Sequence, residues 1–391
     1  MYWLTIQPTF DDLVIGTYGR GFWILDDLSP LQHVKAESER AAAELFPVRK
    51  AFRLRARSRR DLAPDRVSVG HYLPYGVPIN YLLKAETKGV KLDVFDKDGQ
   101  LVQHLHATSH PGVNRVWWDL RYEKTVAVAL RTTPPGNPHV WSEKRFAGHL
   151  TRPIFYYGIG RGNNAPLVAP GTYTVKLTVD GHEQSQPIVV VKDPNTPATL
   201  EDAIAGSQLS FKIYKDTERS AQLINQIEWS RKQLEDTRRL LVAKGAEKNL
   251  LAATDALNQK YLDQENQLMH PTIAEGDEKS FRGPLGLYLK FVWLQAEVGT
   301  AEADVSGNSD WPPTEPEKQV FAELDTQLHN VDAAISHIDD ADLVTYNALL
   351  AKSHVERITV VPNGGSAKGE AAAANKNSVT GGDEADDAGN N

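Results

Sequence analysis

The sequence contains no cysteine. That excludes disulfides and thiolate metal sites and leaves the redox compartment open. No run reaches the roughly 18 consecutive apolar residues that a membrane-spanning helix needs, so no membrane span is expected. Net positive charge is lacking too. The formal net charge is −8, which argues against a nucleic-acid partner or an anionic membrane surface. The start, Met1-Tyr2-Trp3-Leu4, has neither the basic opening nor the long apolar core of a signal peptide. A strand-like segment follows almost at once, which suits either a cytoplasmic protein or a chain that begins inside a longer one. What remains is ordinary: 41% hydrophobic and 24% charged residues fit a soluble globular chain, and 391 residues leave room for two or three domains.

The stretch from Val90 to Lys192 organises the rest. Val90–Phe95 and Leu101–Val102 flank an Asp96-Lys97-Asp98-Gly99 turn. Tyr173, Val175, Leu177 and Val179 alternate with Thr172, Thr174, Lys176 and Thr178, a strict period of two. Asp180-Gly181 then predicts a tight hairpin. Between these segments Val116, Trp118 and Leu120 share one face, so Trp118 is expected in the core. The pattern predicts one β-sandwich over 79–193, interrupted by a polar insertion at 123–166.

Upstream, Asp11–Leu28 reads as a hairpin around Tyr18-Gly19-Arg20-Gly21, giving a first segment at 1–28. An isolated hairpin is marginal in water and needs something to lie on. Residues 29–78 read as a linker and a basic loop. Downstream the period changes. Ile213, Ser220, Ile227, Leu234 and Leu241 recur every seven residues, while Thr217, Arg231 and Arg238 on the adjoining seam rule out a strict coiled coil. Gly245 breaks that helix. Leu250–Leu268 and Leu287–Val298 predict two more, and Thr314 with Glu317 forms a capping-box signature ahead of a fourth stripe, Val320 to Ile338. Together they predict an antiparallel helical bundle over 198–360. Residues 361–391, with no aromatic residue, cannot offset the entropy of ordering and read as a disordered tail.

Several of these segments carry a resemblance. Asp12–Asp27 resembles the end of the last blade in bacterial sortilin-type propeller proteins, also labelled BNR-repeat or sialidase-like glycosyl hydrolases. Pro30-Leu31, Leu45-Phe46-Pro47-Val48-Arg49, Asn114–Arg121 and Ala169-Pro170-Gly171-Thr172-Tyr173 are similar to the same family. The resemblance spans roughly 11–360, but the earlier blades, with their Asp-box turns, have no counterpart. It implies a multidomain β + α chain: a residual propeller hairpin, an Ig- or fibronectin-like sandwich, helices and a tail. It also implies export, to the periplasm or outside the cell, and missing propeller blades as a partner.

The candidate chemistry is sparse. Asp11-Asp12 and Asp26-Asp27 are consecutive carboxylates, which strand geometry sends to opposite faces, whereas glycosidase chemistry needs two carboxyls facing across a sugar. They are expected to cap turns. Asp96-x-Asp98-Gly99 opens like a calcium loop, but position twelve is Ala107 rather than Glu. His104, His106 and His110 lack an evident further ligand, and Gly158-x-Gly160-x-Gly162 has no helix after it to cradle a phosphate. Trp117, Trp141, Tyr156 and Tyr157 are the candidate ligand-stacking residues. Arg53, Arg55 and Arg57 open a basic run to Arg66, a solvated loop or an anion contact. No metal or cofactor is expected. The resulting expectation is a non-catalytic binding or scaffold region with a protein or glycan partner. The alternative is the carbohydrate-binding accessory region of a glycosyl hydrolase.

Overall fold

The structure, a computed structural model, describes residues 2–34, 41–54, 73–134, 138–154, 165–269, 285–299 and 310–362. The strands in chain order are β1 (Trp3–Gln7), β2 (Asp12–Gly16), β3 (Phe22–Leu25), β4 (Ala43–Leu45), β5 (Ala51–Arg53), β6 (Val77–Leu83), β7 (Val90–Phe95), β8 (Leu101–Leu105), β9 (Gly112–Trp118), β10 (Ala129–Leu130), β11 (Arg152–Pro153), β12 (Gly171–Val179) and β13 (His182–Lys192). The helices are α1 (Ser29–His33), α2 (Leu200–Ala243), α3 (Lys248–Leu268), α4 (Leu287–Val298), α5 (Glu315–His337) and α6 (Leu343–Lys352). The chain is multidomain β + α. One compact unit is built from 1–123, 165–208 and 299–312, and the other from 124–164, 209–298 and 313–391. Among the described residues no helix is long and apolar enough to cross a membrane.

Among the described residues the first unit holds three sheets, ordered β1-β2-β3, β5-β13-β12-β7-β8 and β4-β6-β9. All pairings are antiparallel except β5 with β13. The period-two alternation sets the core. Tyr173, Val175, Leu177 and Val179 of β12 turn inward, as do Val116 and Trp118 of β9. They meet Ile79, Tyr81 and Leu83 of β6 and Leu92 and Val94 of β7 in a single apolar cluster. The β12–β13 hairpin closes on Asp180 (φ 50°) and Gly181 (φ 86°), with Val179 opposite His182, the two positive φ values that a right-twisted two-residue hairpin demands. Gly76 is required for a different reason. Its φ is 117°, and a Cβ there would lie 1.9 Å from the Trp118 carbonyl oxygen. Pro78 pairs with Trp117 of β9 at a point beyond β4, which reaches only Tyr81–Leu83, so its missing N–H costs no ladder bond on that side.

Strands β4 and β5 lie within the 29–78 region read from sequence as linker and basic loop. Arg53 closes β5 and is only 5% exposed. Its Nη1 donates to Ser207 Oγ at 2.6 Å, and its Nη2 lies 3.4 Å from Asp310 Oδ1. Burial lowers its pKa and the Asp310 charge opposes that. Arg53, expected as an anion contact, meets the chain's own carboxylate here. Arg55, Arg57 and the rest of the run to Arg66 lie outside the described residues, as do 363–391.

The second unit buries the heptad row predicted for α2: Ile213, Ser220, Ile227, Leu234 and Leu241 are each at most 1% exposed. Thr199 caps this helix, its Oγ1 accepting from Asp202 N–H at 3.1 Å. Gly245 (φ 67°) follows its end. The Thr314/Glu317 capping box opens α5, with both of its hydrogen bonds present. Between α5 and α6, Ile338–Asp342 makes one π turn, which buries Ile338 while Asp339 accepts from Tyr261 and, at 2.7 Å, from Gln226. Residues 124–164, placed by sequence inside the sandwich, are compact with these helices instead, and 299–312 with the first unit.

One carboxylate on α2 yields a pH prediction. Burial, then the neighbouring Asp325 of α5, pushes Asp216 up to about 6, and His329 opposes the shift. An acid whose folded pKa is raised contributes most to stability below its unfolded value, near about 4, and that contribution is lost as pH rises through about 6. Asp216→Asn is expected to stabilise the chain by about 1 kcal/mol at about pH 7, after discounting for solvent screening, and to be near neutral at about pH 4. Urea midpoints at the two pH values check this, and a difference independent of pH would contradict it.

Candidate functional site

The site is built on one face of α2. Four side chains along it accept or exchange hydrogen bonds with the backbone of 126–133, in the same order along both segments. Glu218 accepts from Val126 N–H at 2.7 Å, and Asn225 accepts from Ala129 N–H at 2.8 Å and donates to Ala127 O at 3.0 Å. Glu228 accepts from the N–H groups of Arg131 and of Thr132, the latter at 2.8 Å, and from Thr132 Oγ1 at 2.6 Å. Glu235 accepts from Thr133 N–H at 3.3 Å. The lengths match. From Glu218 to Glu235 a helix rises about 25 Å, and a fully extended chain from Val126 to Thr133 spans about 23 Å. β10 and β11 pair over only two residues each, so these bonds satisfy backbone donors that this short ladder does not take up.

Beneath this ladder sits a charge cluster. Arg231 Nη1 donates to Glu265 of α3 and, at 3.3 Å, to Thr132 Oγ1, and it lies 3.7 Å from Glu228 Oε1. Its Nε donates to Asn258 at 3.3 Å. Glu228 and Glu265 are fully buried and Arg231 is 3% exposed. Burial pushes Glu265 well above the usual carboxylate range, with Arg231 opposing. Burial also pushes Glu228 up, but its hydrogen bond with Glu265, together with Arg231, Arg152 and Thr132, holds it below that range. The two carboxyls therefore titrate as one coupled pair, in which burial favours a proton held between them and Arg231 opposes it.

The ladder positions Trp141. Its indole N–H donates to Thr133 Oγ1 at 3.2 Å, and Thr133 is itself held by Glu235. Trp141 lines a cleft of about 480 Å³ with Arg131, Thr133, His149, Leu150, Lys232, Glu235, Arg238 and Arg239. Arg131 stacks over the Trp229 ring at 4.2 Å and donates to Ala129 O at 2.6 Å. Lys232 pairs with Asp236 at 2.8 Å, Arg239 pairs with the same carboxylate, and Arg238 pairs with Asp255 at 2.5 Å. Burial raises the pKa of Glu235, opposed by the Thr133 N–H, Arg231 and Lys232.

The other candidates take plainer places. Trp117 is half-buried on β9 in the first unit, and Tyr156, Tyr157 and Gly158–Gly162 lie outside the described residues. Asp27 is a buried junction. Its Oδ1 accepts from Ser29 Oγ at 2.6 Å and its Oδ2 from Asn80 Nδ2 at 2.8 Å, while its N–H donates to Asp12 at 2.9 Å. Arg115 adds an ion pair at 3.6 Å. Asp96 closes the β7–β8 turn, accepting from the N–H groups of Asp98 and Gln100 at 2.9 and 2.8 Å. His104 pairs with Asp93 at 2.6 Å. Among the described residues no three His, Asp or Glu side chains are grouped to hold a metal ion. Compared with protein-family models, curated proteins and solved structures, the chain matches none.

Trp141 is legible in the sequence as an aromatic candidate, and its supports are not. Glu218 and Asn225 are seven residues apart, and so are Glu228 and Glu235. Polar side chains repeating at that spacing beside an apolar row were the available signal.

Proposed function

We propose that this chain is the non-catalytic binding and scaffold region of an exported, sortilin-type propeller protein. In this reading β1–β3 belong to the last blade, the larger sheets of the first unit form an Ig- or fibronectin-like sandwich, and the second unit is an antiparallel helical bundle. The observation that carries it is the β1–β2–β3 sheet. Leu4 and Ile6 face one way and Trp3 the other, and Phe22 and Ile24 of β3 oppose Trp23 and Leu25. Every one of these is 48–82% exposed. A sheet wetted on one face alternates apolar with polar residues. This one is apolar on both, which suits a blade stacked between other layers.

Two measurements test the reading. The purified chain should bind an apolar dye such as ANS, and Phe22→Ser with Trp23→Ser and Ile24→Ser should reduce that binding several-fold; an unchanged signal would overturn the blade assignment. Aryl-glycosides, including a sialoside, should turn over no faster than in solvent. Turnover well above that rate, abolished by Asp26→Asn or Asp27→Asn, would overturn the non-catalytic reading. The Trp141 cleft favours a second reading, a carbohydrate-binding accessory region of a glycosyl hydrolase.

A further inference from the structure

We propose that the Trp141 cleft binds an acidic saccharide, a hexose-sized ring bearing a carboxylate. The inference rests on the carbohydrate-binding reading above and adds the class of sugar. Its size falls within the roughly 300–1,000 Å³ of small-ligand sites. Trp141 is a prepared platform, because its indole edge is fixed through Thr133 to Glu235 and therefore to α2. A ring held in place before binding loses little entropy when a sugar stacks on it. Leu150, 79% exposed, supplies the other apolar wall.

The remaining lining is polar and mostly cationic. Arg131, Lys232, Arg238 and Arg239 face it against one lining carboxylate, Glu235. A wholly apolar ligand would strand these charges. A highly charged polyanion is opposed by the net charge of −8. One carboxylate per ring fits between those limits. The present partners of three cations, Asp236 and Asp255, are themselves 51% and 52% exposed. Exposed ion pairs of this kind contribute only about 0–1 kcal/mol, so they leave the arginines and the lysine able to turn toward an incoming carboxylate. Arg131 is pinned by Trp229 and Ala129 and serves as a fixed positive wall.

The test is calorimetric titration of the full chain with trigalacturonate, with its methyl ester and with sialyllactose. Either acidic probe should bind, the ester should bind at least about tenfold more weakly, a difference of about 1.4 kcal/mol, and binding should fall as ionic strength rises from about 0.01 M to about 1 M. Trp141→Ala and, separately, Arg239→Glu should each weaken binding about tenfold, and Trp141→Phe should restore part of it. Equal affinity for the ester and the acid would overturn the acidic-sugar inference and leave the carbohydrate reading standing. Binding by none of the probes would overturn both. Binding untouched by Trp141→Ala in a folded variant would overturn the assignment of the cleft.

Discussion

Arg231→Met is expected to cost the chain about 3–5 kcal/mol, the range for breaking a buried ion pair by removing one partner. The guanidinium lies between Glu228 and Glu265, all three out of contact with water, and it also reaches Thr132 and Asn258. Without it Glu265 loses the cation that opposes its burial, while Glu228 keeps the Arg152 charge and its donors from Arg131 and Thr132. Glu265 is then pushed further up, so the loss should be larger at about pH 8 than at about pH 5: an acid with a raised folded pKa stabilises below its unfolded value and loses that contribution as pH rises. Adding Glu228→Gln and Glu265→Leu removes the stranded charges and should recover most of the stability. Urea unfolding followed by helical circular dichroism reads all of this. A single-variant loss below about 1 kcal/mol would show that water reaches the cluster.

Trp118→Ala is expected to cost about 3–5 kcal/mol for a different reason. Trp118 is wholly buried, stacks edge-on against Tyr173 at 5.4 Å and 61°, and donates its indole N–H to Arg121 O at 3.1 Å. Truncation opens a cavity and leaves that carbonyl without its indole donor. Trp118→Phe keeps much of the volume and should cost less than the alanine variant. Near-ultraviolet circular dichroism in urea separates the outcomes, and an alanine cost below about 1 kcal/mol would place the side chain outside the core.

Local patterns were the legible part of the sequence. Asp180-Gly181 between alternating strands, the heptad row of α2, the Leu287–Val298 helix and the Thr314/Glu317 capping box all became the elements they predicted. Each signal lies within a few turns of chain, where spacing translates directly into a face or a cap. The rest depended on partners far away in sequence. Val126–Thr133 holds only the two-residue strand β10, and most of its donors are satisfied by Glu218, Asn225, Glu228 and Glu235 of α2. Arg53 begins a basic run that looks solvated, and its partners Asp310 and Ser207 lie far along the chain. Arg231 stood out as a charge on an apolar seam, but its reason, Glu265, lies on the next helix. Trp141 was visible as an aromatic in a polar insertion, while the cleft around it was not, since three of its four cations, Lys232, Arg238 and Arg239, come from α2.

The ladder along α2 also bears on how the protein is made. Thr132 leaves the ribosome 96 residues ahead of Glu228, a lag of roughly 5–20 s at about 5–20 residues per second. During that interval its backbone donors have only water or a chaperone to bind. Arg53 waits longer still, for Asp310, about two thirds of the chain away. The chain passes between its two units at 123, 164, 208, 298 and 312, so neither unit is complete until translation has gone beyond the last of these. The apolar cluster of the first unit is nonetheless in hand by Val190, so an arrest of synthesis just before Asp310 should release a chain whose sheet core is present, whose Arg53 lacks its carboxylate, and whose helical core, which extends to Ile358, is unfinished.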